Sequence, residues 1–345
     1  MHTLPIQQRI DWLFDLAKRH AAEFSSPESF LARKRYLAEH PTAILVLKCM
    51  DGRINIPIAT NTPAGIIQPF RNLGGMFNLG WPHLGETLVD VVGEAVSTGR
   101  RALVMITYHY SKGAESRGCA GFDYRTDKAR AHTFEIKAEV EAIFGMGHGT
   151  VYPLVCGFET DEDALVVHGR DGVLNLAELG GREELPRQLA ALLPDMPAQV
   201  RSDLMPLLLG NLDHIEEMRR TVRSLDIEHR EWMICVGRGF DWLHMPNLAL
   251  IIGPYSPDLA DPIRKAAGII ESNMQAGRIS DDGFLLLSSS PYEEIGVDRA
   301  RAVLKSRFMR DFAAEVIAAE YPELAQKMST RSSVLSWGSR VLEPI

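Results

Sequence analysis

Short unbroken apolar runs, each stopped by a polar cluster and separated by stretches of helical spacing, constrain this chain most. Residues 43–47 read Ala-Ile-Leu-Val-Leu, 102–107 read Ala-Leu-Val-Met-Ile-Thr, and similar runs occupy 151–156, 232–236, 248–252 and 284–287. Runs of this length bounded by polar or glycine-rich segments fit strands covered on both faces, the pattern of a parallel sheet. Gly65-Ile66-Ile67 reads as a further strand, and Leu84 to Ser97 has helical periodicity closed by Gly99. Helices are also expected around Phe134–Phe144, from Pro262 to Gln275 and from Arg299 to Ile317. The alternation predicts an α/β fold, a mostly parallel sheet flanked by helices.

At 345 residues the chain is long enough for about two domains. The first forty residues carry Ile10, Leu13, Phe14, Leu16 and Ala17 at helical spacing, then a Ser-Ser-Pro break and a second helical stretch. A helical arm is therefore expected over 1–40, followed by one α/β domain over 41–228 and another over 229–345. Elements recur in similar order in the two halves, which predicts an internal duplication. Glu159-Thr160-Asp161-Glu162-Asp163 reads as an acidic turn into another strand ending at His168, and 184–227 as mostly helical, with Glu216–Arg220 a solvated face.

A formal net charge of -8 argues against nucleic-acid or anionic-membrane partners, which are usually met by a basic face. No apolar run approaches the roughly 20 residues needed to span a bilayer, and the N-terminus lacks the pattern of a secretory signal, so a cytoplasmic location is expected. Four cysteines, at 49, 119, 156 and 235, are too sparse for a disulfide framework.

The sharpest local signal is Cys49-x-Asp51-x-Arg53, placed where a buried strand ends. Carboxyl ends of parallel strands are where α/β proteins build sites. An Arg fork can hold a carboxylate bidentately and lower its pKa. A second strand end supplies His109, and a Gly/Ser/Lys-containing loop then leads to Cys119. Two thiolates and one imidazole suit Zn²⁺, and three protein ligands leave a fourth tetrahedral position open. A lone buried Cys is ordinarily a small hydrophobe and a lone His a structural residue; the combination at two strand ends favours a metal centre.

These residues resemble the β-class carbonic anhydrases: Cys49-Met50-Asp51-Gly52-Arg53, then Arg71-Asn72-Leu73-Gly74-Gly75, similar to that family's Arg-Asn-Ala-Gly loop, then the His and Cys. Nine residues separate His109 from Cys119, where the family usually has two. That insertion, with Gly118-Cys119-Ala120 and the acidic turn ending in His168, is similar to the carboxysomal shell subclass, built from a catalytic half and a degenerate half.

The resemblance implies zinc held by Cys49, His109 and Cys119 and reversible hydration of carbon dioxide to bicarbonate and a proton by zinc-bound hydroxide. Asp51, positioned by Arg53, would accept a hydrogen bond from the attacking oxygen or occupy the fourth zinc position at rest. Met50, Phe70, Leu73 and Met76 would form either an apolar wall for carbon dioxide or, as their spacing equally suits, part of the core. His83, His148 and His168 are candidate proton shuttles. A homodimer is expected, and the short stretch before the first strand argues against carboxysome association. Cys235 lies near the equivalent of Cys49 in the second half, without an Asp-x-Arg, and Pro291 falls about where His109 does; one zinc site per chain follows. Cys156 is expected in the core.

Three other readings compete. A cysteine-nucleophile phosphatase wants Arg six positions after the Cys, and position 55 is Asn. A carbonyl sulfide or carbon disulfide hydrolase would use the same zinc site. A structural or sensory zinc module would keep that site closed. Gly145-x-Gly147-x-Gly149 precedes a strand rather than a helix, against a dinucleotide loop.

Overall fold

The structure, a computed structural model, describes residues 1–221, 228–243 and 245–345. Along the chain run α1 (Ile6–Phe24), α2 (Pro27–Glu39), β1 (Ala43–Cys49), α3 (Ile56–Ala59), β2 (Ile67–Asn72), α4 (Pro82–Ser97), β3 (Ala102–Tyr110), α5 (Thr126–Phe144), β4 (Val151–Glu159), β5 (Ala164–His168) and β6 (Val173–Asn175). Then come α6 (Leu185–Leu192), α7 (Ala198–Arg220), β7 (Met233–Gly237), β8 (Ala249–Ile252), α8 (Ala260–Gln275), β9 (Phe284–Tyr292), α9 (Val297–Glu320), α10 (Pro322–Ala325), β10 (Met328–Ser336) and β11 (Leu342–Pro344). The helical reading of 184–227 is met by α6 and α7 with a break between them; 222–227 lie outside the described residues.

The chain divides into two compact units, each with one sheet. The first comprises 32–49 and 54–227 and holds the sheet β2-β1-β3-β4-β5-β6. Strands β2, β1, β3 and β4 run parallel, and β5 and β6 are antiparallel additions. Six of the seven residues of β1 and eight of the nine of β3 are buried, which explains their unbroken apolar composition. Lys48 is the exception in β1, and its ammonium donates to the Ile54 carbonyl. Helices α4 and α5 pack on β3, and α7 packs on β5.

The second unit comprises 1–31, 50–53 and 228–345, with the sheet β11-β10-β9-β7-β8. Strands β8, β7, β9 and β10 are parallel and β11 is antiparallel. Helices α8 and α9 pack on this sheet. Helix α1 belongs here as well. Buried Arg9 donates to Asp282 (2.6 Å) and to the Gly283 carbonyl (2.9 Å), and its guanidinium lies 5.2 Å from the centre of the Trp232 ring.

The fold is thus α/β, with two mostly parallel sheets flanked by helices. Strand β9 extends through Ser288-Ser289-Ser290-Pro291, beyond its apolar start. The Ser288 hydroxyl bonds to Ser306 (2.8 Å) and Ser332 (3.1 Å), and Ser333 donates to the Ser288 carbonyl (2.8 Å). These bonds let Ser288, Ser332 and Ser333 lie buried between the strands.

Candidate metal centre

In the first unit, Cys49 closes β1 and His109 lies near the end of neighbouring β3. Cys119 opens the short turn Ala120–Phe122, its carbonyl accepting from the N–H groups of Phe122 (3.1 Å) and Tyr124 (2.9 Å). The three side chains are buried, and their donor atoms lie within 4.8 Å of one another.

Two glycines permit this convergence. A Cβ on Gly75, at φ 67°, would stand 3.1 Å from the Thr107 carbonyl oxygen and 3.3 Å from the Cys49 nitrogen. A Cβ on Gly121 would stand 2.7 Å from the Gly74 Cα. The Arg71–Gly75 loop therefore packs backbone to backbone against both the Cys49 and the Cys119 segments. Asn72 closes the loop by donating to the Met76 carbonyl (2.8 Å).

The acidic turn after β4 anchors the loop between His109 and Cys119. Fully buried Glu159 accepts from the N–H groups of Lys112 (3.0 Å), Asp161 (3.0 Å) and Glu162 (2.9 Å). Asp161 accepts from the Ser111 hydroxyl (2.9 Å) and the Gly113 N–H (2.7 Å). Burial pushes the Glu159 carboxyl above its usual range despite the three N–H donors, which pull the other way. Neither anchoring role was foreseen from sequence; the signal was a dense acidic run directly after a buried strand.

The Cys49 thiol is pushed well up, first by its hydrogen bond with Cys119 and then by burial, with His109 pulling the other way. Two adjacent buried thiolates need a compensating cation, which a divalent metal supplies. The Cys₂His donor set therefore fits zinc.

In the second unit, the Asp51–Arg53 pair has the bidentate geometry expected of it. Arg53 donates through Nε to Asp51 Oδ1 (3.1 Å) and through Nη2 to Oδ2 (2.7 Å), and its own backbone N–H reaches Oδ1 (2.8 Å). Both side chains are buried. Sequence reasoning missed two neighbours: His229 Nε2 lies 3.8 Å from Asp51 Oδ2, and its Nδ1 is 3.0 Å from fully buried Glu231. Glu231 also accepts from the Gly52 N–H (3.1 Å), and a Cβ on Gly52 would stand 2.9 Å from Glu231 Cγ. His229 and Glu231 are remote from the motif in the chain and follow no spacing rule. Asp51, His229 and Glu231 also have donor atoms within 4.8 Å of one another, but the Arg53 fork already covers Asp51 and the imidazole already bonds Glu231.

Among the expected wall residues, Phe70 and Leu73 are buried, and the Met76 methyl would stand 3.1 Å from a Cβ on Gly74 and 3.3 Å from one on Gly121. Met50 is buried in the second unit, its carbonyl accepting from the Ile251 N–H (3.0 Å). Two of the candidate shuttles are engaged elsewhere in the first unit. His148 is flanked by Glu141 and Asp195, each at 3.1 Å. His168 bonds the Tyr108 hydroxyl (2.8 Å), and burial lowers its pKa to about 4. His83 lies in the first turn of α4. Cys156 is fully buried in β4, its thiol pushed up to about 12 by burial, as suits a core residue.

Strand pairings in the two sheets can be compared position by position. Ile44 pairs with Ile67 and Leu103, and Met233 pairs with Ala249 and Leu285, which start their strands in the same way. Counted from these pairings, Cys49 and Arg238 each come five residues after the paired residue of the first strand of their sheet, and His109 and Pro291 each six after that of the neighbouring one, with Cys235 two residues past Met233. Apolar runs locate a strand but do not count its residues from a common pairing.

No protein-family model matches the chain, and no curated protein matches it in sequence. No helix among the described residues is long and apolar enough to cross a membrane.

Proposed function

We propose that this chain is a zinc-dependent, β-carbonic-anhydrase-like hydratase of carbon dioxide. The observation that carries the reading is the buried convergence of Cys49, His109 and Cys119, their donor atoms within 4.8 Å, at the carboxyl ends of two parallel strands and a glycine-permitted turn. These three residues would hold Zn²⁺ and leave one tetrahedral position open. Bound there, zinc supplies Lewis-acid activation of water near neutral pH. Asp51, its oxygens fixed by the Arg53 fork, has the role of hydrogen-bond acceptor that aims the attacking water, as the resemblance implies. Phe70, Leu73 and Met76 offer the apolar surface that a small uncharged substrate needs.

The internal duplication belongs to the same reading. The orders β2-β1-β3-β4 and β8-β7-β9-β10 match, and among the described residues the Cys₂His group lies in the first unit. A homodimer completes the proposal, and sedimentation velocity tests it.

Metal analysis beside variants tests the ligand set. Wild type is expected to bind one zinc per chain and Cys49→Ser to lose it. Retention of both metal and activity by Cys49→Ser would refute the assignment. Carbonyl sulfide and carbon disulfide, assayed beside carbon dioxide, decide the substrate; turnover of the sulfur compounds alone would move the reading to a hydrolase.

A further inference from the structure

The second unit has a cavity of about 360 Å³ at the carboxyl ends of β7 and β9, where register alignment puts the counterpart of the metal centre. Its walls carry Arg238, just past β7, Ser289 and Ser290 of β9, and Arg301 and Lys305 of α9. Arg301 and Lys305 are one helical turn apart and so share a face. We propose that this cavity binds a small phosphate-class oxyanion.

Three observations support the assignment. The cavity gathers two guanidiniums and an ammonium, and among the described residues none of the three has a carboxylate at ion-pair distance. Asp298, the one carboxylate on the wall, is turned to the backbone N–H groups of Glu293 (2.8 Å) and Glu294 (3.4 Å). Three cations share the wall with this single carboxylate, which Arg301 also feels across the cavity, so positive charge is in excess; like charges repel, and a bound anion relieves that repulsion.

The second observation is the Ser289 hydroxyl. The residue is fully buried and lines the cavity, and its Oγ has no hydrogen-bond partner among the described residues. A buried hydroxyl is costly to leave unpaired, and an oxyanion would accept its proton. The third is a built approach. Gly237, at φ 122°, passes so close to the Ser289 carbonyl that a Cβ would collide with it, and the Arg238 N–H donates to that same carbonyl (3.1 Å). Arg238 is thereby tied to the strand bearing the free hydroxyl. The Lys305 ammonium is held below the usual lysine range, first by loss of solvent around it and then by Arg238 and Arg301, although much of the residue's surface is exposed.

Planar guanidinium forks match tetrahedral oxyanions through paired N–H donors, and three cations favour a multiply charged guest over a monovalent one. Where the first unit sets thiols and an imidazole, the second sets cations and hydroxyls. None of these residues belongs to the proposed zinc set, so the two proposals fail separately.

Calorimetric titration of the full chain with inorganic phosphate, in a phosphate-free buffer and at fixed ionic strength, tests the site. Saturable binding with one site per chain is expected, with acetate at least tenfold weaker. Arg238→Gln and Arg301→Gln are each expected to weaken phosphate binding on the order of tenfold or more, and Ser289→Ala measurably. Lys305→Gln, on the exposed face of a helix, carries the same expectation should the Arg238 variant fail to fold. Lys327→Gln, away from the cavity, is expected to bind as wild type does. Phosphate binding no stronger than acetate, or unchanged in the Arg301 and Lys305 variants, would overturn the proposal.

Discussion

Asp51 and Arg53 show how much two neighbouring side chains can settle. The guanidinium bonds both carboxylate oxygens and the Arg53 N–H adds a third contact, so the carboxylate is held in one orientation. Asp51→Ala is expected to keep zinc and fold while lowering the hydration rate by roughly 10² to 10⁴, the range for loss of a positioned proton-handling group. Stopped-flow rates per zinc check it; an unchanged rate would remove Asp51 from the mechanism. His168 offers a residue-scale test of stability. Burial lowers its pKa to about 4, so between that value and the unfolded value near 6.5 the unfolded chain binds more protons. Its contribution to stability is complete above about pH 6.5 and is lost as pH falls toward 4. Denaturant unfolding at pH 5 and pH 7.5 is expected to show a smaller acid loss for His168→Gln than for wild type.

Among the elements, the glycine-bearing loop after β2 and the acidic turn after β4 hold the candidate centre together. Gly75→Ala places a Cβ at positive φ against the Thr107 carbonyl and the Cys49 nitrogen, so a destabilisation of about 1–2 kcal/mol or more is expected, with weaker zinc binding. Glu159→Gln leaves part of the N–H cradle short of an acceptor and is expected to cost about 1–3 kcal/mol and to loosen the loop bearing Cys119. Thermal melts and zinc competition read both. Strands β1, β3, β4, β7 and β8 were legible because burial on both faces demands unbroken apolar sequence. Strand β10 and the second half of β9 were not, since Ser288, Ser332 and Ser333 bond one another between the strands and so break the apolar run without apolar cover. The grouping of Cys49, His109 and Cys119 was legible because two of them stand at the ends of strands recognisable from composition. His229 and Glu231 were hidden because only the folded backbone brings them to Gly52 and Asp51.

On the scale of the whole molecule, two sheets with the same order of parallel strands carry different side chains at their strand ends. The four parallel strands have the same order in both sheets, yet thiols and an imidazole stand at one strand-end pair and arginines, a lysine and serines at the other. Metal binding to a native site stabilises by mass action, so chelation is expected to lower the melting temperature by several degrees. Hydrogen exchange is expected to localise the change to residues 43–49, 102–110 and 115–125, leaving 284–292 as protected as before; uniform loss across all four segments would contradict a single site. The central claim is catalytic, and its most direct test is stopped-flow carbon dioxide hydration on protein of measured zinc content between pH 7 and 9. The account predicts hydration well above the buffer rate, proportional to zinc and abolished in Cys49→Ser. Full zinc occupancy with no acceleration across that range would contradict it.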